Sequence, residues 1–281
     1  AAYQSAQLGA KVILFEQSGA VGGSSRYAGG YVSGANTKLQ KDAGVKDSPE
    51  LAYQDMINIG GAGNFKPELA WMHVQRAGEL VDWIVDHLGI ELSEPGYGAY
   101  TPTNVPRVYQ TKTGGIEFAN VLKEKVNECV EKGSITLLLN TKVESLTNDG
   151  SGAVNGVVAN GVTYSAKSVI LATGGYGYNR EWVERYNFKH SRSSAPTTAI
   201  GSGYDLAESQ GASFSNMEYL PAYPGAVDTN EDTYSVTVTA NTNGWSGAIW
   251  VDKNGSRMVD EVDFTVAARQ AAWENAEDNY V

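Results

Sequence analysis

A candidate ligand site lies between Leu14 and Gly30, in the stretch LFEQSGAVGGSSRYAGG. An apolar run ends there on one carboxylate, Glu16, and a segment rich in glycine and serine follows. A carboxylate at the end of a strand accepts hydrogen bonds from ribose hydroxyls, and a backbone with few side chains can approach phosphate or ring atoms closely. The pattern predicts a nucleotide-type cofactor. Any strand that ends on Glu, or a flexible linker, would give a similar sequence.

The elements around this stretch are those of a parallel α/β unit. AAYQSAQLGA is predicted to be a helix that ends at Gly9, and KVILFE a short buried strand. A helix, a glycine, a strand and a terminal acid form the second half of a dinucleotide-binding βαβ unit. The glycine fingerprint of such a unit precedes its helix, and this sequence begins inside the helix. We therefore expect this chain to be a fragment without the first strand and the phosphate-binding loop.

Composition excludes several classes of function. The 281 residues carry a net charge of −11, which argues against non-specific binding to nucleic acid. Cys129 is the single cysteine, so neither an internal disulfide nor a cysteine-based metal cluster can form. His73, His87 and His190 lack metal-ligand spacing, so no metal site is predicted. No apolar run is long enough to span a bilayer. Two locations of the protein, the cytoplasm and the bacterial cell envelope, are both compatible with the sequence.

Five segments in order resemble the fumarate reductase/succinate dehydrogenase flavoprotein family, especially its soluble members of the flavocytochrome and urocanate reductase type. They begin with FEQSGAVGGSSRYAGG, which is similar to the second cofactor motif of that family. The others are TKLQKDAGVKDSPELAYQDMI, TKVESL, SVILATGGYGYNRE and GAIWVDKNGSRMVDE. The resemblance spans essentially the whole chain and implies FAD as the cofactor.

The resemblance also implies which residues contact FAD. Glu16 would bind the ribose and the main chain at Val143 would lie against the adenine, while SVILATGG would be an apolar strand that ends at the cofactor. Ser202 stands where many relatives carry Asp. The implied contacts are Glu16, Gly22, Gly23, Ser24, Ser25, Ala28, Gly29, Gly30, Val143, Ala172, Thr173, Gly174, Ser202 and Gly203.

The predicted fold is α/β. Residues 1–212 would form a Rossmann-like FAD-binding domain with a three-stranded β-meander, in which Asn160 and Gly161 form a hairpin turn. Residues 213–281 would begin an α+β capping domain. The stretch from Lys66 to Ile90 is predicted to be a long amphipathic helix, and Ser134–Leu146 a strand. The expected core residues of that helix are Leu69, Met72, Leu80, Trp83, Ile84 and Leu88.

Three residues are candidates for the chemistry. Tyr223 stands where fumarate-reductase-like members carry a substrate-binding His, and an ordinary turn tyrosine is the alternative. Arg257 matches an arginine of the family's GxRFVxE turn, where it is either structural or anion-binding. Thr265 falls where the acid arginine is expected, and Arg269 lies four positions further on. TANTNG also lacks the Glu and Arg of the family's proton relay.

The predicted function is an FAD-dependent oxidoreductase that acts on a carbon–carbon bond next to a carbonyl or carboxylate, as enoate reductases do, with a substrate other than fumarate. The alternatives are an activity like that of 3-ketosteroid dehydrogenases, and a non-catalytic flavoprotein fragment. The expected partners are a small-molecule substrate and, in the parent protein, an electron-donor protein or haem domain. This chain alone is expected to be inactive.

Overall fold

The computed structural model describes residues 1–61, 63, 65–98, 103–186, 193–218, 226–228, 236–238, 249, 251 and 254–257. The chain forms two compact units. Unit 1 comprises Ala1–Gly174 and Ser202–Ser213, and unit 2 comprises Gly175–Gly201 and Phe214–Val281. The predicted domain boundary between residues 212 and 213 remains a prediction.

Unit 1 begins with the predicted helix and strand. Helix α1 spans Ala2–Gln7, and Gly9 follows it with a positive φ of 86°. Strand β1 (Val12–Phe15) pairs in parallel with β4 (Ile135–Leu138), with Val12 opposite Ile135. Helix α5 (Gly115–Glu131) leads into β4. Together α1, α5, β1 and β4 enclose a core cluster of Val126, Cys129 and Ile135, against which Ala2, Tyr3, Ala6, Val12, Leu14 and Leu137 pack.

The predicted strand over Ser134–Leu146 is two strands. Asn140 adopts a positive φ of 51°, which turns the chain between β4 and β5 (Val143–Asn148). Strand β5 begins the β-meander, which continues with β6 (Val154–Ala159) and β7 (Val162–Ser165) in the order β5–β6–β7. Asn160 and Gly161 have φ of 51° and 71°, which is the two-residue turn that their sequence predicts.

A helical layer follows the first glycine-rich segment. Strand β2 (Tyr31–Ser33) pairs antiparallel with β3 (Val108–Gln110). Between them lie α2 (Lys38–Asp42), α3 (Pro49–Gly60) and α4 (Pro67–Trp83), the last continued by a π-helix over Ile84–Leu88. Ser48 caps α3 by accepting a hydrogen bond from the backbone N–H of Leu51.

The predicted core face of α4 is partly wrong. Its large apolar residues Leu69, Met72 and Leu80 are more than half exposed, at 53%, 55% and 55%. Ile84 and Leu88 are buried, as expected, and Trp83 is half-buried. The helix instead buries small residues because it crosses the chain at close range: a Cβ on Gly78 would lie 2.1 Å from the carbonyl oxygen of Ala35. The buried residues of α4 are Ala70, Val74, Ala77, Gly78 and Val81.

The predicted strand in SVILATGG is also wrong. Residues 168–174 form no strand, and Ile170 and Leu171 are 65% and 40% exposed. A strand needs a hydrogen-bonded neighbour, and within the described residues β1 pairs with β4 and with no second strand. An apolar run alone therefore did not identify the local structure.

Unit 2 contains a short helix with an aromatic core. Helix α6 (Arg180–Arg185) is capped by Asn179, whose side chain accepts hydrogen bonds from two backbone N–H groups. Trp182 is buried, and its ring contacts those of Tyr176, Tyr186 and Phe214. Helix α7 (Ser202–Glu208) returns to unit 1, and β8 (Ala226–Asp228) and β9 (Val236–Val238) pair antiparallel in unit 2. Among the helices that the structure describes, none is both long and apolar enough to cross a bilayer.

Candidate functional site

Glu16 follows β1 directly, with a carboxylate that is only partly engaged. The backbone N–H and the hydroxyl of Ser18 both donate to its Oε1, at 2.8 and 2.6 Å. Its second oxygen, Oε2, accepts no hydrogen bond from the residues that the structure describes. The side chain is half-buried, so the Ser18 contacts fix its direction while one oxygen remains available. That arrangement suits acceptance of a ligand hydroxyl.

The carboxyl ends of β1 and β4 form one edge, where ligands of α/β folds bind. The backbone N–H of Glu16 donates to the carbonyl of Leu138 at 2.9 Å, and that of Thr141 donates to the carbonyl of Glu16 at 2.9 Å. Val143 begins β5 two residues after Thr141. The structure thus brings Glu16 and the start of β5 to the same edge of the parallel pair.

The segment after Glu16 is a tight turn into a 3₁₀ helix over Gly23–Tyr27. Gly22 and Gly23 enter it with positive φ of 132° and 46°. Gly22 is half-buried, whereas the next residues expose their backbone and small side chains, which are the features expected of a cofactor-facing segment. The exposed residues that were predicted to bind the cofactor are Gly23, Ser24, Ser25, Ala28 and Gly29.

The same segment packs on the start of α5. Gly115 donates its backbone N–H to the carbonyl of Ala28 at 2.8 Å, and a Cβ on Gly115 would lie 1.9 Å from the carbonyl oxygen of Ser25. Gly30 is buried, and a Cβ there would lie 2.3 Å from Oγ1 of Thr111. Gly30 therefore serves the packing of the chain on itself. Gly115 has the same function, and the sequence analysis did not single it out.

Two further predicted segments meet the first. Gly174 lies near Ser24, whose Oγ would be 4.0 Å from a Cβ on Gly174. Thr173 packs directly on Gly203, where a Cβ would lie 2.0 Å from Oγ1 of Thr173. Residues 172–174 are exposed, Ser202 is half-buried and Gly203 is buried. Predicted cofactor residues from three separate stretches of sequence thus lie together in unit 1.

Of the predicted catalytic residues, Arg257 lies within the described part of the chain. Arg257 forms an isolated antiparallel bridge with Val251 around Gly255, whose φ is 81°, and its side chain is exposed. Tyr223, Thr265 and Arg269 lie outside the described residues. Their roles, and that of Arg257, remain predictions.

A buried ion cluster was missed by the sequence analysis. The Nε and Nη2 atoms of Arg107 donate to the two oxygens of Asp47, at 2.9 and 2.8 Å, and its Nη1 donates to Asp55. The side chains of Arg107, Asp47 and Asp55 are 4%, 0% and 5% exposed. Burial of the guanidinium acts to lower the pKa of Arg107, but its hydrogen bonds to Asp47 and Asp55 and their charges together raise that pKa above its ordinary value.

Neutral polar groups extend this cluster towards β3. Gln40 donates its side-chain N–H groups to Asp47 and to the carbonyl of Pro106, both at 2.8 Å. The hydroxyls of Thr37 and Tyr109 are 2.5 Å apart, and both side chains are fully buried. Burial raises the pKa of Tyr109. No local sequence pattern links these residues, because they come from α2, the loop before α3, α3 itself and the segment before β3.

In the described part of the chain, no group of His, Cys, Asp and Glu side chains could hold a metal ion.

This chain is similar in sequence to an FAD-binding family and to two reductases. The sequence pattern of the family described as "FAD binding domain" matches residues 1–279. A fumarate reductase (cytochrome) of Shewanella frigidimarina is 32% identical over 269 residues, which cover 93% of this chain and 45% of that protein. A urocanate reductase of Eggerthella lenta is 30% identical over 276 residues, which cover 94% of this chain and 44% of that protein. This chain therefore spans less than half the length of these relatives.

Solved structures agree in fold. The open conformation of a flavocytochrome c3 fumarate reductase matches with a TM-score of 0.77 and 29% identity, over 96% of this chain and 48% of that one. A 3-ketosteroid-Δ4-(5α)-dehydrogenase of Rhodococcus jostii RHA1, in complex with 4-androstene-3,17-dione, matches with a TM-score of 0.65 and 26% identity. That match covers 77% of this chain and 52% of the other. The predicted α/β fold of an FAD-binding flavoprotein is confirmed.

Proposed function

The chain belongs to the FAD-binding domain family, and from this membership we propose that it supplies most of the FAD site of an oxidoreductase that acts on carbon–carbon bonds next to a carbonyl or carboxylate. The observation that carries the proposal is that the 3₁₀ segment, residues 173–174 and Gly203 lie close together, in the same compact unit as Glu16. When bound, FAD supplies hydride transfer.

The residues present fit the cofactor. Glu16 has one carboxylate oxygen fixed by Ser18 and one oxygen open, which supports acceptance of a hydrogen bond from an adenosine ribose hydroxyl. Ser24 and Ser25 are exposed on a backbone of low side-chain volume, which supports contact with phosphate oxygens through hydroxyl and N–H groups. The chain's own task is thus to bind and orient FAD at the carboxyl edge of β1 and β4.

The substrate proposal rests on the sequence of the cap region. By the resemblance to the family, Tyr223 stands where a substrate-binding His is expected, TANTNG lacks the Glu and Arg of the proton relay, and Thr265 falls where the acid arginine is expected. A dicarboxylate such as fumarate needs a cationic clamp and a proton donor, and general acid catalysis contributes about 10²–10⁴-fold. We therefore propose a mono-anionic or neutral unsaturated substrate, with an aromatic enoate favoured because a urocanate reductase is among the relatives.

A steroid-like substrate is the second candidate. The structural similarity to a 3-ketosteroid dehydrogenase at 26% identity supports it, because a tyrosine such as Tyr223 can donate a hydrogen bond to a ketone. A panel of oxidants separates the candidates: the reduced flavin of the whole protein is mixed anaerobically with fumarate, urocanate, cinnamates and 3-ketosteroids that carry a C=C bond conjugated to the ketone. We expect fumarate to be slow. If fumarate reoxidises the flavin fastest, the substrate proposal is wrong.

The cofactor proposal is tested on the 281-residue chain by equilibrium dialysis against FAD and, separately, NAD. We expect FAD to bind with a dissociation constant above about 1 μM, because a tighter complex requires more than roughly 8 kcal/mol of binding free energy from a partial site. Glu16→Ala should weaken binding by about 1.5–3 kcal/mol. Glu91→Gln, at an exposed acid, is the control. Binding of NAD without FAD would reject the proposal, and sub-micromolar FAD binding would contradict the expected weak affinity.

A further inference from the structure

The segment that carries Gly29 and Gly30 is hydrogen-bonded along its length to residues 107–115. The carbonyl of Ala28 accepts from the N–H of Gly115, and that of Gly30 accepts from Thr111 at 3.1 Å. Strands β2 and β3 then pair residue by residue, with Tyr31 opposite Gln110 and Ser33 opposite Val108. The ladder ends where the N–H of Gly34 donates to the carbonyl of Arg107 at 3.1 Å. The position of residues 107–115 therefore sets the position of residues 28–34.

Arg107, at the end of this ladder, is itself fixed by buried charges. Its guanidinium meets Asp47 through two parallel hydrogen bonds and Asp55 through a third. Asp55 also accepts from the backbone and side-chain N–H groups of Asn104. Because the planar guanidinium meets Asp47 through two parallel bonds and Asp55 through a third, the cluster defines one orientation of Arg107 against α3 and the loop before it.

We infer that Arg107 is a positioning residue of the cofactor segment: it holds residues 107–115 in register and thereby fixes the backbone of Ala28–Gly34. This inference rests on the proposed FAD site, because its functional consequence is the affinity for FAD. Arg107 has no contact with Glu16 or the 3₁₀ helix among the described hydrogen bonds, so it acts through the β2–β3 ladder.

The conservative variant Arg107→Lys tests the inference, because an ammonium retains the charge and cannot reproduce the fork with Asp47. Arg76→Lys is the matched control: Arg76 pairs with Glu79 on the surface of α4, where the two side chains are 74% and 71% exposed. The full chain is measured at a temperature at which thermal unfolding shows each variant to be folded. FAD affinity is determined by dialysis, and amide hydrogen exchange is followed at Ala28–Gly34 and in β5–β7.

We expect Arg107→Lys to weaken FAD binding by at least tenfold and to accelerate exchange at Gly34 and Thr111 while β5–β7 keep their protection. Arg76→Lys should leave both measurements unchanged. A lower melting temperature with unchanged FAD affinity and unchanged exchange over Ala28–Gly34 would overturn the inference and leave Arg107 a purely stabilising residue. If the unmodified chain binds no FAD, the proposed function fails, whereas the exchange data still decide whether Arg107 fixes this segment.

Discussion

Two glycine-containing segments, Ala28–Gly34 and Ser168–Gly174, differ in burial and hydrogen bonding, although both were predicted to line the same cofactor. In the first, Gly30 is buried and the chain is hydrogen-bonded to residues 107–115. In the second, Ile170 is 65% exposed, and a Cβ on Gly174 would lie no closer than 4.0 Å to its nearest neighbour, Oγ of Ser24. A glycine can therefore serve close packing within the chain or leave room beside it, and only its neighbours distinguish these two roles.

The largest expected effect comes from the buried charges that support the first segment. Asp47→Ala removes both acceptors of the Arg107 fork and should lower the free energy of unfolding by about 3–5 kcal/mol. Glu79→Ala breaks the exposed pair with Arg76 and should change that free energy by less than about 1 kcal/mol. Urea unfolding measures both. Similar losses of unfolding free energy in the two variants would show that the buried cluster stabilises the protein no more than the exposed pair does.

Gly30→Ala and Gly174→Ala compare the two segments directly, because the two glycines have nearly the same φ, 75° and 78°. Both variants incur about 1–2 kcal/mol for a side chain in the left-handed region. Gly30→Ala also forces a Cβ against Thr111 and the backbone of Gly114, which should add about 1–3 kcal/mol. Chemical denaturation would contradict the comparison if Gly174→Ala were the more destabilising change.

The second segment packs closely on Gly203 through the side chain of Thr173. Gly203→Ala should destabilise the chain by about 1–3 kcal/mol because its Cβ would overlap the Thr173 side chain. Thr173→Ala removes the overlapping Oγ1, so the double variant should recover part of that loss, with a coupling of about 0.5–3 kcal/mol. Additive effects in the double-mutant cycle would mean that the two residues do not meet in solution.

The smallest expected effect is a dependence on pH in the first segment. Burial raises the pKa of Tyr109 above its ordinary value of 10.0, and the charge of Asp47 acts in the same direction. The folded state therefore holds this proton more tightly than the unfolded state does. The resulting stabilisation is fully present below about pH 10 and is lost as the pH rises through the folded-state pKa.

Tyr109→Phe should reduce this alkaline loss of stability. At neutral pH it should lower the free energy of unfolding by about 1 kcal/mol, because the hydrogen bond to Thr37 is removed. Thermal melts between pH 8 and about pH 11 measure both effects. An identical pH profile for the variant would show that Tyr109 does not titrate differently in the two states.

Sequence alone predicted the features that depend on neighbouring residues. Helix α1 ends before Gly9, and Asn160 and Gly161 form the hairpin, because capping and turn preferences act over a few residues. The failures are non-local. The small face of α4 is buried because Gly78 meets Ala35, and residues 168–174 form no strand because pairing depends on a distant partner.

The candidate site shows the same division. Glu16 could be identified because a strand end and a glycine-rich turn are adjacent in the sequence. The convergence of Ser24, Gly174 and Gly203 came only from the resemblance to a family, since nothing local relates these positions. The Arg107 cluster had no signal at all, because its acids lie 60 and 52 residues away in the chain.

The register of the parallel pair also governs how the chain acquires its structure. The parallel pairing of β1 with β4 cannot form until β4 has been made, and Lys11 donates to a carbonyl 122 residues later. At ribosomal rates of about 5–20 residues per second, β4 is synthesised on the order of ten seconds after β1. The α3–α4 pair and the β5–β6–β7 hairpins need only nearby residues and can assemble as soon as they emerge. During synthesis, β1 therefore lacks its parallel partner β4 while these local units can already form.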